Sequence, residues 1–210
     1  MVAMTAVSRS MSGLAVRRAQ PADGEVVAPL LYESAAGTYD RFAGGRERAI
    51  RLLRRAFAAA GTSASAEVVT VCELEGRTAG ALAAFPVEET ALRATRFLRL
   101  ALRTIPAWRW PGALWLYWAG ARAVPSPPGA ALYVDALATS ASARRHGVAR
   151  ALLGEAERQA RDLALPAVAL DTALDNRAAR SLYLGAGFDE VAYKAPARGL
   201  PGFVALVKEL

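Results

Sequence analysis

The sequence predicts an α/β domain of the α+β kind, in which a mixed central sheet of about six to seven strands is flanked by helices. Residues 132–153 begin as an apolar strand, pass through a loop of small residues and enter a helix. Residues 167–170 then form a short, fully apolar strand, so this part of the chain indicates a right-handed parallel crossover. A β-branched run at 67–74 returns at 78–87 after a tight turn, which adds an antiparallel hairpin.

The N-terminal third supplies a strand and two helices before this hairpin. Residues 1–13 lack the sustained apolar core of a signal peptide and are predicted to be a flexible extension, which leaves one domain over residues 14–210. The alternating residues 14–18 predict the first strand. Apolar side chains at helical spacing predict helices at 25–34 and 46–60, and three glycines between them indicate a loop.

The C-terminal part completes the predicted sheet. A helix over 147–163 is expected to end at the Leu-Pro pair that follows it. After the strand at 167–170, a short helix begins at Asp175 or Asn176, and the last two strands lie at 188–193 and 203–207.

The formal net charge of +7 comes mostly from one segment. Between Glu89 and Asp135 there are six arginines and no acidic residue, whereas the rest of the chain is nearly balanced. DNA binding is therefore not expected from charge alone. The chain has a single cysteine, Cys72 in an apolar run, and a single histidine, so we expect a buried core thiol, no disulfides and no metal. Its uncharged run at 110–121 is shorter than the ~20 residues of a membrane span, so no transmembrane segment is expected and the cytoplasm is the predicted compartment.

The start of the helix after residue 143 has the features of a phosphate-binding site. The first helical N–H groups have no partner within the helix, and the helix dipole places partial positive charge there. Gly147 leaves room for a phosphate oxygen to approach the backbone, and Arg144 and Arg145 add full charges.

The same residues resemble a known signature. Arg144-x-x-Gly147-x-Ala149 is similar to the Arg/Gln-x-x-Gly-x-Gly/Ala motif of the GNAT superfamily, the GCN5-related N-acetyltransferases. A second stretch resembles the family's Asn-x-x-Ala-x-x-Leu-Tyr-x-x-x-Gly-Phe motif. It matches in place at Asn176, Ala179, Leu182, Tyr183, Gly187 and Phe188. Two motifs in the right order, with a strand between them, are more specific than either alone.

This resemblance implies a GNAT-type fold with a sheet that splays after the fourth strand and binds acetyl-CoA as co-substrate. The pyrophosphate is expected at the helix start, and the pantetheine arm is expected to pair with the main chain of the preceding strand, where an N–H near Leu137 polarises the thioester. Ala149 replaces the commoner glycine, and its methyl group narrows the cofactor's approach. The expected cofactor-binding residues are Leu137, Ala138, Thr139, Arg144, Arg145, His146, Gly147, Val148, Ala149, Arg150, Asn176, Ala179 and Tyr183.

Two residues are the candidates for proton transfer. Tyr183 matches the tyrosine that many family members use as general acid toward the leaving thiolate; the alternative is a packing tyrosine. Asp135 is a lone carboxylate in an apolar strand, where a raised pKa would suit a general base. It resembles an acidic residue of polyamine-type acetyltransferases, and the alternatives are a structural Asp or a water relay. His146 is not expected to be a base.

Residues 91–129 are predicted to be a helical insertion before the fourth strand. Four arginines at 93, 96, 99 and 103 fall on one side of its first helix, and a break at 105–111 precedes a second helix rich in aromatic residues. Three interpretations stay open. The insertion can be a helical pair with solvated arginines, a lid that shapes an acceptor pocket, or a basic amphipathic surface that touches a membrane or a protein.

The function expected from these features is acetyl-CoA-dependent transfer of an acetyl group directly to a primary amine of a small-molecule or peptide acceptor, in a ternary complex. The first alternative is a non-catalytic CoA-binding, sensing or scaffold protein of the same fold. A nucleic-acid or ribosome-associated modifier is a third class, motivated by the arginines of the insertion. A homodimer is an option that the sequence does not decide.

Overall fold

The computed structural model describes residues 13–197 and 199–210, so the predicted N-terminal extension lies almost entirely outside the described residues. The described residues form a seven-stranded mixed sheet and seven α-helices. The strands are β1 Leu14–Arg18, β2 Val69–Leu74, β3 Arg77–Pro86, β4 Leu132–Thr139, β5 Ala167–Ala173, β6 Asp189–Lys194 and β7 Phe203–Glu209. The helices are α1 Gly24–Ser34, α2 Ala36–Ala43, α3 Arg46–Ala58, α4 Thr90–Thr104, α5 Trp110–Ala123, α6 Val148–Asp162 and α7 Arg177–Leu184.

The sheet has the strand order β1-β2-β3-β4-β5-β7-β6. Among the described strands, β4 and β5 form the one parallel pair, joined through the α6 crossover, and the other neighbouring strands pair antiparallel. The parallel pairing runs only from Leu132↔Val168 to Val134↔Leu170. Beyond Val134 the two strands part, which confirms the predicted splay after the fourth strand.

The predicted hairpin is present as β2 and β3. Glu75 and Gly76 both have positive φ, 52° and 76°, as tight two-residue hairpin turns require. The small residues of β3 allow α6 to approach closely. A Cβ built on Gly80 would lie 2.6 Å from Val148 Cγ1 and 2.9 Å from the carbonyl oxygen of Ala138. The sequence thus uses glycine where helix and sheet leave no room for a methyl group.

Separate apolar layers cover the two faces of the sheet. On one face α6 packs through buried side chains such as Leu152 and Leu153. On the other face α1 and α3 form the main core, and the predicted helical insertion packs on it as α4 and α5, through residues such as Leu98 and Leu116. Among the described residues, no helix is long and apolar enough to cross a membrane.

The loop predicted between the first two helices is wrong, because Ala36–Ala43 form α2. Gly37 lies in the first turn of this helix, where the backbone tolerates it, and Phe42 and Ala43 are buried in the core. Gly44 ends the helix in the left-handed conformation at φ 86°. The burial of one end of α2 therefore outweighs the glycine signals that favoured a loop.

Candidate active site

Asp135 lies in a β-bulge at the point where the sheet opens. Ala83 of β3 pairs with Ala136, and Ala84 pairs with Val134, so Asp135 is left without a partner on β3. The ladder to β5 ends one residue earlier, at Val134. A bulge of this kind turns a side chain out of the regular alternation, and bulges are common beside active sites. The carboxylate of Asp135 is accordingly held at the opening by the strands themselves.

The environment of Asp135 raises its pKa to about 7. Burial is the largest cause, and the negative charge of Asp171 adds to it, while the hydroxyl of Ser63 acts in the opposite direction. Solvent reaches the side chain, yet protein atoms surround it, as at the bottom of a recess. Burial raises the pKa of Tyr39 on α2, and the charge of Asp135 adds to that rise, which places α2 beside the same recess. A carboxyl with a pKa of about 7 can exchange a proton at neutral pH.

Asp171 is a second carboxylate at the opening, and it was not predicted from the sequence. It follows Leu170, the last β5 residue paired with β4, just as Asp135 follows Val134. The hydroxyl of Tyr133 donates a hydrogen bond to the Asp171 carboxylate. Burial raises the pKa of Asp171, and the Tyr133 hydroxyl opposes that rise. The parallel register of two acidic residues, each after a buried strand, is the signal that could have found this pair.

Tyr183 is the third polar group of the cluster. It is buried on α7, with its ring centroid 6.1 Å from that of Phe188. Burial and the charge of Asp171 raise the pKa of Tyr183 to about 12. The phenol therefore keeps its proton at neutral pH. Asp171 influences the pKa of both Asp135 and Tyr183, so the two predicted proton-transfer residues share this neighbour.

A cleft of about 520 Å³ leads from Tyr183 along the end of β4 to the start of α6. Every predicted cofactor-binding residue except His146 lines it. His146 is exposed, and its Nδ1 lies 2.9 Å from the carbonyl oxygen of Arg144. Glu33 and Ser34, at the end of α1, also line the cleft, and the sequence analysis did not include them. They come from an element about a hundred residues away, and no local motif marks them. The lining residues predicted from sequence are Leu137, Ala138, Thr139, Arg144, Arg145, Gly147, Val148, Ala149, Arg150, Asn176, Ala179 and Tyr183.

The backbone at the α6 end of the cleft has the geometry of an anion site. Arg145 and Gly147 both adopt positive φ, 65° and 83°, and α6 begins at Val148. A non-glycine residue in this region is uncommon and is typical of functional loops. The first turn of α6 directs unpaired N–H groups and the positive end of its dipole toward the cleft. An anionic group of the size of a pyrophosphate fits this arrangement.

The opposite wall of the cleft is formed by one edge of β4 and by α7. Residues 137–139 pair with β3 on one side, and the β5 ladder does not reach them on the other. An extended ligand can therefore pair with this edge as a strand would. Asn176 caps α7, since its side-chain oxygen accepts from the Ala179 N–H at 3.2 Å, and its amide donates to Thr172 at 3.3 Å. Asn176 is thus the N-cap of the helix whose start was predicted at Asp175 or Asn176.

Comparison with known proteins gives the same result as this geometry. The model of the acetyltransferase (GNAT) family matches residues 33–188. The chain belongs to the GNAT acetyltransferase family. Family membership supports acetyltransferase activity, and both motifs on which the resemblance was based, at 144–149 and 176–188, lie within the matched range.

Solved structures of GNAT acetyltransferases share this fold. The chain is similar to a structure described as an acetyltransferase, with 20% identity, a TM-score of 0.69, and coverage of 92% of this chain and 98% of the other. An N-acetyltransferase from Staphylococcus aureus Mu50 gives 18% identity, a TM-score of 0.69 and coverage of 91% and 98%. An agmatine N-acetyltransferase gives 18% identity, a TM-score of 0.56 and coverage of 94% and 100%. No curated protein sequence matches the chain.

Proposed function

We propose that the protein is an acetyl-CoA-dependent N-acetyltransferase that transfers the acetyl group directly to a primary amine within a ternary complex. The observation that carries this proposal is the position of the proton-transfer groups. Asp135, with a pKa of about 7, lies where β4 and β5 part, and Tyr183, with a pKa of about 12, lines the cleft; burial and the charge of Asp171 raise both pKa values. One group accepts a proton at neutral pH and the other holds one, as amine attack on a thioester requires.

The groups that line the cleft suit the chemistry of acetyl-CoA. The start of α6 and its arginines would bind the pyrophosphate, because unpaired N–H groups and positive charge converge there. The open edge of residues 137–139 would pair with the amide groups of the pantetheine arm. The thioester would then lie near Tyr183, at the other end of the cleft.

Asp135 and Tyr183 then act on different reactants, Asp135 on the acceptor amine and Tyr183 on the sulfur of CoA. Asp135 accepts a proton from the acceptor's ammonium group, and the free amine attacks the thioester carbonyl. A main-chain N–H near Leu137 stabilises the negative charge on the carbonyl oxygen. As the new C–N bond forms and the C–S bond breaks, the phenol of Tyr183 donates its proton to the departing sulfur, and the nitrogen releases its second proton to solvent. Both protein groups return to their starting states by proton exchange with solvent.

The charges of the recess favour a cationic acceptor. Asp135 and Asp171 place two carboxylates at the opening, and the described groups that act on the pKa of Asp135 supply no opposing cation. A protonated amine is attracted to such a site before it loses its proton. A small amine or an exposed amino group of a peptide has this chemistry.

Binding and turnover can be tested separately. Isothermal titration with CoA and acetyl-CoA is expected to show binding, and a panel of amine acceptors assayed for free thiol is expected to identify turnover. Tyr183→Phe and Asp135→Asn should each lower kcat about 100-fold or more, at the lower end of the range for a lost general acid or base. Tyr193→Phe on the exposed strand β6 and Asp162→Asn at the exposed end of α6 are matched controls that should retain activity.

Each outcome of these tests distinguishes the proposal from its alternative. Absence of CoA binding at millimolar concentrations would refute the assignment of the cleft. Binding without turnover of any amine would favour the non-catalytic CoA-binding protein. Full activity of a double variant, Tyr183→Phe with Asp135→Asn, would refute the roles assigned to these two residues.

A further inference from the structure

Among the described residues, the insertion carries the largest group of exposed large apolar side chains. All four tryptophans of the chain lie in it, and none is buried. The exposed fraction of the side chains is 78% for Trp108, 43% for Trp110, 41% for Trp115 and 56% for Trp118. Large apolar side chains are normally exposed singly, and a cluster of this kind marks an interaction site.

The geometry of α5 explains why these side chains share one surface. Ala113 and Leu116 are buried against the core. Trp110, Leu114 and Trp118 follow one another at intervals of four residues and are exposed on the other side of the helix. We call Trp108, Trp110, Leu114, Trp115 and Trp118 the tryptophan face. From Trp110 to Ala121 the sequence contains no charged residue.

Arginines border the tryptophan face. The guanidinium of Arg41 lies 5.9 Å from the centre of the Trp115 ring, and that of Arg122 lies 5.9 Å from the centre of the Trp118 ring. Arg109 donates a hydrogen bond to the carbonyl oxygen of Arg41 at 2.7 Å, which brings a further cation to the same edge.

A second group of arginines lies on α4. The indole N–H of Trp110 donates to the carbonyl oxygen of Leu102 at 2.9 Å, so Arg103, the next residue, lies beside the face. Arg99 is exposed one turn earlier on the same helix. From residue 90 to residue 134 the sequence has six arginines and no acidic residue, so the insertion offers no carboxylate to offset them.

We propose that the tryptophan face docks on the surface of a lipid bilayer that contains anionic lipids. Indole rings prefer the headgroup region because they combine a large apolar ring with an N–H donor. The bordering arginines would contact anionic headgroups while the rings enter the boundary with the acyl chains. The 14-residue helix α5 is too short to span a bilayer, so it would lie along the surface.

The charge pattern favours lipid over the other macromolecules that could cover this face. In a two-fold dimer the same patch would meet itself, and two arginine-bordered surfaces would then repel each other. RNA binding depends on cations along the contact surface, whereas the exposed side of α5 is uncharged until Arg122. An uncharged apolar centre with a cationic border matches a membrane interface.

The position of the tryptophans provides a direct measurement. Because all four are in the insertion, intrinsic tryptophan fluorescence of the whole protein reports on this surface alone. Vesicles of phosphatidylcholine with about one quarter phosphatidylglycerol are expected to sediment the full-length protein and to shift its emission to shorter wavelength at ~0.1 M salt. Vesicles of phosphatidylcholine alone should do neither.

Variants separate the roles of charge and of apolar area. Arg99→Gln with Arg103→Gln should weaken binding about 25-fold, at about five-fold for each arginine. Trp108→Ser with Trp118→Ser, at the two most exposed tryptophans, should abolish sedimentation. Arg158→Gln with Arg161→Gln is the matched control. It removes the same charge from α6, on the other side of the sheet, and should change binding less than about two-fold.

The proposal is overturned if anionic vesicles neither bind the protein nor shift its emission, or if neutral vesicles bind it equally well. It is also overturned if the α6 control loses as much affinity as the α4 variant, since the attraction would then depend only on net charge. A concentration-dependent dimer with blue-shifted emission in the absence of lipid would assign the face to a second copy. RNA binding lost in the tryptophan variant would assign it to nucleic acid. Far-UV circular dichroism of each variant shows that the fold is retained.

Discussion

Replacement of Asp171 by Asn should make the proposed base effective at lower pH. The pKa of Asp135 rises from 3.8 to about 7, and burial contributes more to this rise than the charge of Asp171 does. If Asp171 accounts for about one of the roughly three units, its neutralisation lowers the pKa of Asp135 to about 6. The ionised fraction of Asp135 at pH 6 would then rise from about 9% to about 50%, a roughly five-fold gain.

The sign follows from the role of Asp135, which must be deprotonated to accept a proton. In the variant, the acid limb of kcat/KM against pH is therefore expected to move about one unit toward lower pH. Each profile is normalised to its own plateau, so that a change in overall activity does not obscure the position of the limb. The same profile is measured for the parent protein and the variant under identical buffer and salt conditions, because the charge of Asp171 acts on Asp135 through space.

Asp162→Asn is the control for this experiment, because it makes the same charge change at the exposed end of α6. Its acid limb should coincide with that of the parent. The proposed effect of Asp171 on Asp135 is contradicted if the Asp171→Asn limb stays in place or moves to higher pH. In the first case Asp171 would not act on the titrating group, and in the second it would stabilise the ionised form of that group.

Three further predictions concern stability and reactivity. Asp135→Asn should raise the free energy of unfolding at pH 8 by about 1 kcal/mol, measured by urea titration at pH 5 and 8. Because the folded-state pKa of Asp135 is raised, the free energy of unfolding of the parent protein falls as pH rises from about 4 through 7, and solvent access reduces the size of this effect. An unchanged free energy of unfolding of the variant at pH 8 would contradict this prediction. Gly80→Ala should lower the free energy of unfolding, measured by thermal denaturation, by about 1–3 kcal/mol, because the added methyl carbon would lie 2.6 Å from Val148 Cγ1. Gly154→Ala on α6, with open space around it, should instead be neutral or stabilising by up to about 1 kcal/mol. Cys72, whose thiol is buried with a pKa raised to about 11, should resist iodoacetamide at pH 8 until denaturant is added; rapid labelling of the native protein would show that the thiol is accessible.

The sequence predicted those parts of the fold and site that depend on local pattern. The strands follow short apolar or alternating runs, most helices follow the helical spacing of their apolar residues, and the helix start at 144–149 has a local geometric cause in Gly147. The close approach of α6 to β3 was also predictable from the small residues of β3, because only glycine fits at position 80 beside Val148. These features are decided within a few residues of the chain.

The features that the sequence analysis missed depend on distant contacts. Asp171 lay just beyond the predicted end of its strand, and its position next to the end of the β4–β5 ladder, like that of Asp135, becomes visible only through the parallel register. Glu33 and Ser34 reach the cleft because α1 packs across the sheet. His146 lies within the predicted binding motif, and its exposed side chain is not among those that line the cleft.

The short ladder between β4 and β5 has a consequence for how long the folded protein resists proteolysis in the cell. Only three residue pairs join the half-sheet β1–β4 to the half-sheet β5–β7–β6. A co-substrate lying along the open edge of β4 would add hydrogen bonds where the two halves have none of their own. Any ligand that binds only the folded state stabilises it, by about 2.7 kcal/mol at a concentration 100 times its Kd. The supply of co-substrate would then govern the resistance of the enzyme to proteolysis as well as its rate, so that the protein persists longest when it has acetyl groups to transfer.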